Sequence, residues 1–185
     1  MERILPLKKV GGGSQLWTRD LAKRVRAELI SLLEDSIPGD VIIIDADGVE
    51  VFDYSFANEL FGKSLLSLPN EYPNRFLIVE HLSAYTRENL DKALESLNLA
   101  MIERKGTKFN LIGKINSVYL DTFMFIVKAK EPVTATAIKD QLNLNLTAAN
   151  ERLTKLVGLG LLRREKGASG AGREQYLYST IQVKE

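Results

Sequence analysis

The sequence predicts two folded segments of different class: an α/β segment over residues 1–115 and a helical segment ending in a β-hairpin over residues 116–185. Two observations indicate this division. In the first segment, continuous apolar runs such as Val41–Ile44 alternate with helical patterns, which is typical of strands buried in a layered α/β fold. In the second segment, three helical patterns precede a basic stretch with a glycine-rich centre, which favours three helices followed by a hairpin.

The strands of the first segment are predicted from short apolar runs. They are expected at Ile4–Leu7, Val41–Ile44, Phe76–Val79 and Lys108–Ile112. The Asp45–Gly48 stretch is expected to turn the chain after the second of them.

Three helices are predicted in the same segment. Thr18, Ser55 and Thr86 are each expected to cap a helix N-terminus through the side-chain oxygen. The apolar residues that follow recur at helical spacing: Leu21, Val25, Leu29 and Leu32; then Phe56, Leu60 and Phe61; then Leu90, Ala93, Leu94, Leu97 and Ala100–Met101.

The second segment begins with a helix that carries Val118, Phe123, Ile126 and Val127 and ends near Glu131–Pro132. Thr134 or Thr136 is expected to cap a second helix, and Asn145 a third. Gly158–Leu162 ends the third helix and starts a strand. A return strand over Arg173–Thr180 then completes a hairpin with basic residues and a flexible tip.

Composition and charge exclude several classes of protein. The chain has 185 residues, 45% hydrophobic and 26% charged, which suits packed cores and not a disordered chain. It has no cysteine, so disulfides, zinc–thiolate sites and a cysteine nucleophile are excluded. No apolar run approaches the roughly 20 residues that span a bilayer, and the first ten residues lack a secretory apolar core. We therefore expect a soluble, cytoplasmic protein with no membrane partner.

The charge is unevenly distributed. Of 25 Lys and Arg and 24 Asp and Glu, 15 basic and 17 acidic residues lie in residues 1–115, a balance of −2. The remaining 10 basic and 7 acidic residues give residues 116–185 a balance of +3. The small basic excess therefore falls in the second segment, where it suits an acidic partner.

The first segment resembles a known family in three stretches: Trp17–Ala22, Val41–Val49 ("VIIIDADGV") and Asp53–Gly62 ("DYSFANELFG"). They are similar to the STAS-like family of bacterial regulatory domains, over roughly Leu16 to Ile115. The resemblance implies a small sheet with helices, related to antagonists of anti-sigma factors, in which a serine at a helix start is phosphorylated. Ser55 stands at that place, so it is either a phosphosite or simply a helix cap.

The second segment resembles the winged helix-turn-helix of bacterial transcription regulators, and Leu142–Asn145, Leu153 and Leu159–Arg164 carry the similarity. The resemblance implies that the third helix enters the major groove of duplex DNA while the hairpin wing contacts the backbone. The candidate base readers on that helix are Thr147, Asn150, Glu151 and Thr154, flanked by Arg152 and Lys155. The candidate phosphate contacts of the wing are Arg163, Arg164, Lys166 and Arg173. A wing used for protein contact remains the alternative.

Sites for small ligands and catalysis are not indicated. Gly62–Ser64 resembles the end of a phosphate-binding loop, but Ala57 stands where that motif needs glycine. Gly11–Ser14 is interpreted as a connector, and the single histidine, His81, as a packing residue. A divalent cation among Asp45, Asp47, Asp53 and Glu59 is possible in principle, although turn and cap roles explain the aspartates. We predict no metal, no cofactor and no enzyme activity.

Together these observations predict a DNA-binding transcriptional regulator, acting as a homodimer, whose STAS-like domain senses a partner or signal. The alternative is a partner-switching adaptor that a kinase phosphorylates at Ser55, with the winged helix contacting protein.

Overall fold

The computed structural model of the chain describes residues 1–168 and 174–181. It divides into two compact units, unit 1 (Met1–Ile115) and unit 2 (Asn116–Lys184), and each is described by itself. Within the described residues, no helix combines the length and apolar character needed to cross a bilayer.

Unit 1 has a mixed α/β architecture around a central sheet. Its elements in chain order are β1 (Glu2–Pro6), α1 (Leu7–Gly11), β2 (Gln15–Leu16), α2 (Arg19–Glu34), β3 (Val41–Asp45), β4 (Val51–Phe52), α3 (Tyr54–Ala57), a π-helical turn (Asn58–Gly62), α4 (Lys63–Glu71), β5 (Phe76–Glu80), α5 (Ala84–Ser96), β6 (Ala100–Lys105) and β7 (Lys108–Gly113).

The central sheet has the strand order β1-β3-β5-β6-β7. The pairs from β1 to β6 are parallel, and β7 runs antiparallel to β6. Every residue from Val41 to Ile44 is buried, as the continuous apolar run predicts. The predicted strands at Phe76–Val79 and Lys108–Ile112 are confirmed, whereas Leu7 lies at the start of a short helix.

The predicted third helix is wrong at its end, because Ala100–Met101 begins strand β6. Helix α5 ends at Ser96, and Asn98 has a left-handed backbone with φ 53°. Such a residue reverses the chain after a helix. Ala100, Met101 and Ile102 then fill the sheet between β5 and β7 and are buried there.

Two of the three predicted helix caps are also wrong. Thr18 caps α2, since its Oγ1 accepts from the N–H of Leu21 at 3.3 Å. Asp53, and not Ser55, caps α3 by accepting from Phe56 at 2.7 Å. Ser83, and not Thr86, caps α5. Both helices begin earlier than expected, so the predicted caps fall inside the first turn.

The inward face of α2 is shifted slightly from the prediction. Val25 and Leu29 are buried as expected, but Ala22 and Leu33 complete the buried stripe. Leu21 and Leu32 are only partly buried at its margins. The apolar stripe of a helix follows a period of 3.6 residues. Adjacent apolar positions such as Leu21 and Ala22 therefore lie near the same face, and the packing decides which of them is fully buried.

The region from α3 to α4 contains a π-helical turn flanked by aromatic packing. The predicted core residues Phe56, Leu60 and Phe61 are fully buried. The ring centroid of Phe52 lies 5.7 Å from that of Phe56. A Cβ at Gly62 would lie 2.5 Å from Cδ1 of Leu97, so a larger residue there would have to displace this leucine side chain.

A two-residue ladder sets the starts of α2 and α3 side by side. β2 pairs in parallel with β4, with Gln15 opposite Val51 and Leu16 opposite Phe52. Arg19 and Ser55 each lie three residues beyond this paired position. The two helices that follow this ladder, α2 and α3, contact each other.

Unit 2 consists of three helices and a hairpin in its described part. Its elements are α6 (Ser117–Lys128), α7 (Ala135–Gln141), α8 (Leu146–Gly158), β8 (Arg163–Ala168) and β9 (Glu174–Ser179). Helices α6 and α7 both pack against α8. The buried core residues include Phe123, Ile126, Ile138, Leu153, Leu156 and Leu162.

The connections of unit 2 follow the predicted capping chemistry. Of the two threonines proposed, Thr134 caps α7 by accepting from Ala137 at 3.1 Å. Asn145 caps α8, as predicted, by accepting from Ala148 at 2.8 Å. The short turn between these helices contains Asn143 with φ 51°, a conformation that asparagine tolerates well.

The base of the hairpin is joined to the segment before α7. Val133 and Tyr178 exchange two backbone hydrogen bonds, each 2.8 Å long. Tyr178 is buried, and this burial raises the pKa of its hydroxyl. The hairpin is therefore integrated into the core of unit 2 at this end.

Candidate functional site

Helix α8 presents a polar strip on the side opposite its buried face. Ala149, Leu153 and Leu156 are buried, and residues at helical spacing opposite them point to solvent. The exposed strip consists of Thr147, Asn150, Glu151 and Thr154, with Lys155 at its margin. All five were predicted as interface residues, and the helix brings them together on one face.

Arg152 lies apart from this strip. Its side chain is partly buried, and Nη1 donates to the backbone carbonyl of Val118 at 3.2 Å. The guanidinium therefore connects α8 to the start of α6. This contact gives Arg152 a structural role that the sequence pattern did not reveal.

The hairpin presents two of its predicted cations on an exposed face. Arg164 and Lys166 alternate with Glu165 along β8, so their side chains lie on the same face. The guanidinium carbon of Arg164 lies 4.8 Å from the ring centroid of Tyr176, a cation–π distance. Lys166 Nζ lies 3.6 Å from a carboxylate oxygen of the exposed Glu174.

The other two hairpin candidates are placed differently. Arg163 is partly buried at the start of β8, opposite Ser179. Arg173 lies outside the described residues. The structure thus brings Arg164 and Lys166 together as the exposed basic pair of the hairpin.

Ser55 occupies the second position of α3 and is partly buried. Asp53 already caps this helix, so Ser55 does not have the capping role proposed for it. The neighbouring Tyr54 hydroxyl bonds the hydroxyl of Ser96 at 2.8 Å. The phosphosite assignment for Ser55 stays a prediction.

Glu59 forms an ionic cluster that sequence reasoning missed. Its carboxylate is buried in the π-helical turn, within 4 Å of Lys63, Arg26 and Arg19. The signal available in the sequence was the Glu59–Lys63 spacing of four residues. The two arginines come from α2, and their approach depends on the packing of this helix.

His81 is not the packing residue that was expected. It is exposed at the end of β5, with a left-handed backbone of φ 56°. Nδ1 lies 2.7 Å from Oδ1 of Asp45, and this hydrogen bond raises the pKa of His81. The negative charges of Asp45, Glu80 and Asp47 act in the same direction.

Three of the four acidic residues considered for a cation have other partners. Asp45 contacts His81, Asp53 caps α3 and Glu59 is paired with cations. Across residues 1–168 and 174–181, no group of three or more His, Cys, Asp or Glu side chains is arranged to hold a metal ion.

Comparison with known proteins identifies part of unit 1. Residues 22–87 match the family described as the STAS-like domain of unknown function (DUF4325). No curated protein matches the chain. The matched region extends from the first turn of α2 to the first turn of α5, which is narrower than the span of the predicted resemblance. It includes β3, the π-helical turn and β5. The chain therefore contains a STAS-like α/β domain at residues 22–87.

Proposed function

We propose that the protein is a DNA-binding transcriptional regulator, in which unit 2 is a winged helix-turn-helix that contacts duplex DNA. In this proposal α7 and α8 form the helix-turn-helix, and the β8–β9 hairpin is the wing. The STAS-like domain of unit 1 binds a partner or signal that changes the affinity for DNA.

The observation that carries the proposal is the exposed strip of α8. An α-helix fits the major groove, where short polar side chains can reach base edges. Asn150 suits adenine, which it can contact through two hydrogen bonds, and Glu151 suits the amino group of cytosine. The strip has few charges, so affinity must come mainly from cations elsewhere in the unit.

The hairpin supplies such cations. Arg164 is exposed and lies over the ring of Tyr176. Contacts of Arg164 and Lys166 with phosphates would position α8 without reading sequence. Arg163 and Arg173 remain candidates for the same role.

A homodimer is part of the proposal, because a single small module buries little DNA surface and usually binds weakly. Two copies would read a two-part site with matching symmetry. If each module contacts four to six phosphates, log K should fall with log salt at a slope of about −4 to −5 per module.

The test is selection of genomic fragments by the full-length protein, followed by anisotropy titrations on the selected site. Asn150→Ala should relax preference at one base position at a cost of about 1–3 kcal/mol. An Arg164→Gln, Lys166→Gln pair should weaken binding to all sequences and reduce the salt slope by about 2. A matched pair in unit 1, Arg24→Gln with Lys92→Gln, serves as the control for lost charge. Selection of no sequence, with equal affinity in all variants, would contradict DNA reading.

The adaptor alternative is favoured by one observation, the pairing of the strands that lead into α2 and α3. Arg19 and Ser55 each follow the paired residues Leu16 and Phe52 by three positions. In this alternative, a phosphate on Ser55 binds the guanidinium of Arg19 and is favoured by the positive end of α3. Phosphate mapping after treatment with a serine kinase tests this assignment: equal labelling of Ser55→Ala would remove it.

A further inference from the structure

One buried carboxylate in unit 1 faces more positive charge than it can neutralise. The Glu59 side chain is 1% exposed. Its Oε2 lies 2.6 Å from Lys63 Nζ and 3.8 Å from Arg19 Nε, and its Oε1 lies 3.3 Å from Arg26 Nη1. Among these four groups, one carboxylate faces three cations, so the cluster itself carries a surplus of two positive charges.

Glu59 remains ionised at neutral pH. Burial acts to raise its pKa, but the hydrogen bond and charge of Lys63, together with those of Arg26, outweigh burial and lower the pKa below its ordinary value. The carboxylate therefore acts as a fixed negative centre that orients the three cations around it.

The three cations, which we call the cationic patch, extend from this centre to the surface. The Arg19 side chain is 57% exposed and the Lys63 side chain 45% exposed, while Arg26 is more buried. An arginine carries five N–H donors and a lysine three. A single contact to Glu59 leaves both outer side chains able to bond a second anion. Because Glu59 restrains them, less side-chain entropy is lost on binding.

An exposed aromatic residue precedes the patch in the chain. Trp17 is 45% exposed and is separated from Arg19 by one residue. That residue, Thr18, has φ 78° and ψ 147°, a conformation that residues with a side chain rarely adopt. Strained backbone of this kind is often found at binding sites. The β2–β4 ladder and the cap from Thr18 to Leu21 hold this segment in place.

We propose that Trp17 and the cationic patch form a docking surface for an acidic protein segment that also carries an apolar side chain. Carboxylates of the segment bond Arg19 and Lys63, and its apolar side chain covers the indole. Tryptophan and arginine are the residues that most often dominate the energy of protein–protein contacts.

The charge around the patch favours an acidic peptide over nucleic acid. Asp20, next to Arg19, is 90% exposed and lies 3.1 Å from Lys23, so charges of both signs border the patch and it does not offer an extended row of cations to phosphates. Residues 1–115 have a balance of −2, whereas nucleic-acid surfaces are usually basic over a wide area. A short segment with a few carboxylates can bind through the surplus positive charge of the cationic patch alone.

This inference deepens the part of the proposed function that gives unit 1 a partner. It does not depend on DNA binding by α8, since the two surfaces belong to different units. Loss of DNA binding in the Asn150 or Arg164 variants should leave docking unchanged, so the two proposals fail separately.

The experiment uses the full-length protein and a peptide of alternating Glu and Leu. Trp17 is the single tryptophan of the chain, so its fluorescence reports on this surface alone. We expect its emission to shift to shorter wavelength on addition of the peptide, with the affinity falling as salt is added. A peptide with Gln in place of every Glu should produce no shift.

The variants identify the residues that bind. Arg19→Gln with Lys63→Gln should lower the affinity at least about tenfold. The control, Arg24→Gln with Lys92→Gln, loses the same two residue types from exposed positions and should keep the affinity within about twofold. If the patch variant does not fold, Trp17→Ala with a labelled peptide takes its place, with Tyr85→Ala as the exposed aromatic control.

Three outcomes would overturn the proposal. They are no change in Trp17 emission with the peptide, equal affinity in the patch and control variants, and a patch-dependent emission shift with duplex DNA of equal charge in place of the peptide. The last result would assign the patch to nucleic acid.

Discussion

Unit 1 and unit 2 use charged side chains in different ways. In unit 1, Glu59 and Glu103 are buried and face cations; Glu103 contacts Arg87 and lies 3.5 Å from Lys105. In unit 2, the acidic members of the described ion pairs, Asp140 and Glu174, are exposed. A buried pair couples ionisation to folding, whereas an exposed pair contributes little to stability and can exchange its partner.

Net charge alone therefore does not locate a binding surface in this chain. In unit 1, the Glu59 cluster joins α2 to the π-helical turn, and the Glu103–Arg87 pair joins β6 to α5. In unit 2, Arg164 and Lys166 lie on an exposed strand face, where a competing anion can replace the existing contact. The cluster around Glu59 differs from the other buried charge of unit 1, because its cations outnumber its carboxylate.

The comparison concerns charge, and the apolar cores should behave alike in both units. Phe56→Ala in unit 1 should lower the free energy of unfolding by about 3–5 kcal/mol, and Leu153→Ala in unit 2 by about 2–5 kcal/mol. Both side chains are fully buried, so each truncation leaves a cavity. Urea unfolding followed by circular dichroism measures the loss. Tyr85→Ala, at an exposed site, should cost less than about 1 kcal/mol; an equal loss there would contradict the assignment of the core.

The charge comparison itself is tested by matched Glu→Gln changes. Glu59→Gln should lower the free energy of unfolding by about 1–3 kcal/mol, because three cations lose their buried partner. Glu174→Gln in the hairpin should change it by less than about 1 kcal/mol. If Glu59→Gln and Glu174→Gln shift the urea midpoint equally, burial does not explain a difference between the charged groups of the two units.

A smaller effect is expected from the helix caps, which are alike in the two units. Asn145→Ala should cost about 1 kcal/mol, since an N–H of α8 loses its acceptor, and Asp53→Ala should cost a similar amount. Asn145→Asp keeps the acceptor and serves as the control. If Asn145→Ala leaves the unfolding midpoint unchanged, the cap contact at Ala148 is absent in solution.

The smallest effect is a pH dependence at His81. Asp45 raises the pKa of His81 in the folded chain, so the charged imidazole stabilises the fold fully below its unfolded pKa of about 6.5. This contribution is lost as pH rises through the higher folded pKa. Between about pH 6 and 8, the unfolding temperature should fall more in the wild type than in His81→Gln. Parallel pH profiles in the two proteins would contradict the pairing with Asp45.

The sequence predicted those parts of the fold that depend on local pattern. Val41–Ile44 and Phe76–Val79 are runs of adjacent apolar residues, which only a strand covered on both faces accommodates at this length. The strip of α8 was predicted for a similar reason, because Asn145 marks the start of the helix and Ala149 and Leu153 mark its buried side. In these cases a single stretch of sequence contains all the residues from which the structure is predicted.

Other features depend on contacts between distant residues. Met101 continues the helical spacing of Leu90, Leu94 and Leu97, so the pattern could not show that Asn98 ends the helix. Ser55 and Thr86 are good caps in isolation, and the point where each helix begins is set by the chain that enters it. The approach of Arg19 and Arg26 to Glu59 requires α2 to pack on the π-helical turn.

The bond pair between Val133 and Tyr178 has a consequence for backbone motion. Because each residue donates to and accepts from the other, both amide hydrogens are released only when the base of the hairpin separates from the segment before α7. We expect the two amides to exchange with solvent at similar rates. A ligand that orders the hairpin should slow both rates by the same factor, although Val133 lies outside the hairpin. Exchange at Val133 is thus a remote reporter of ligand binding at the hairpin.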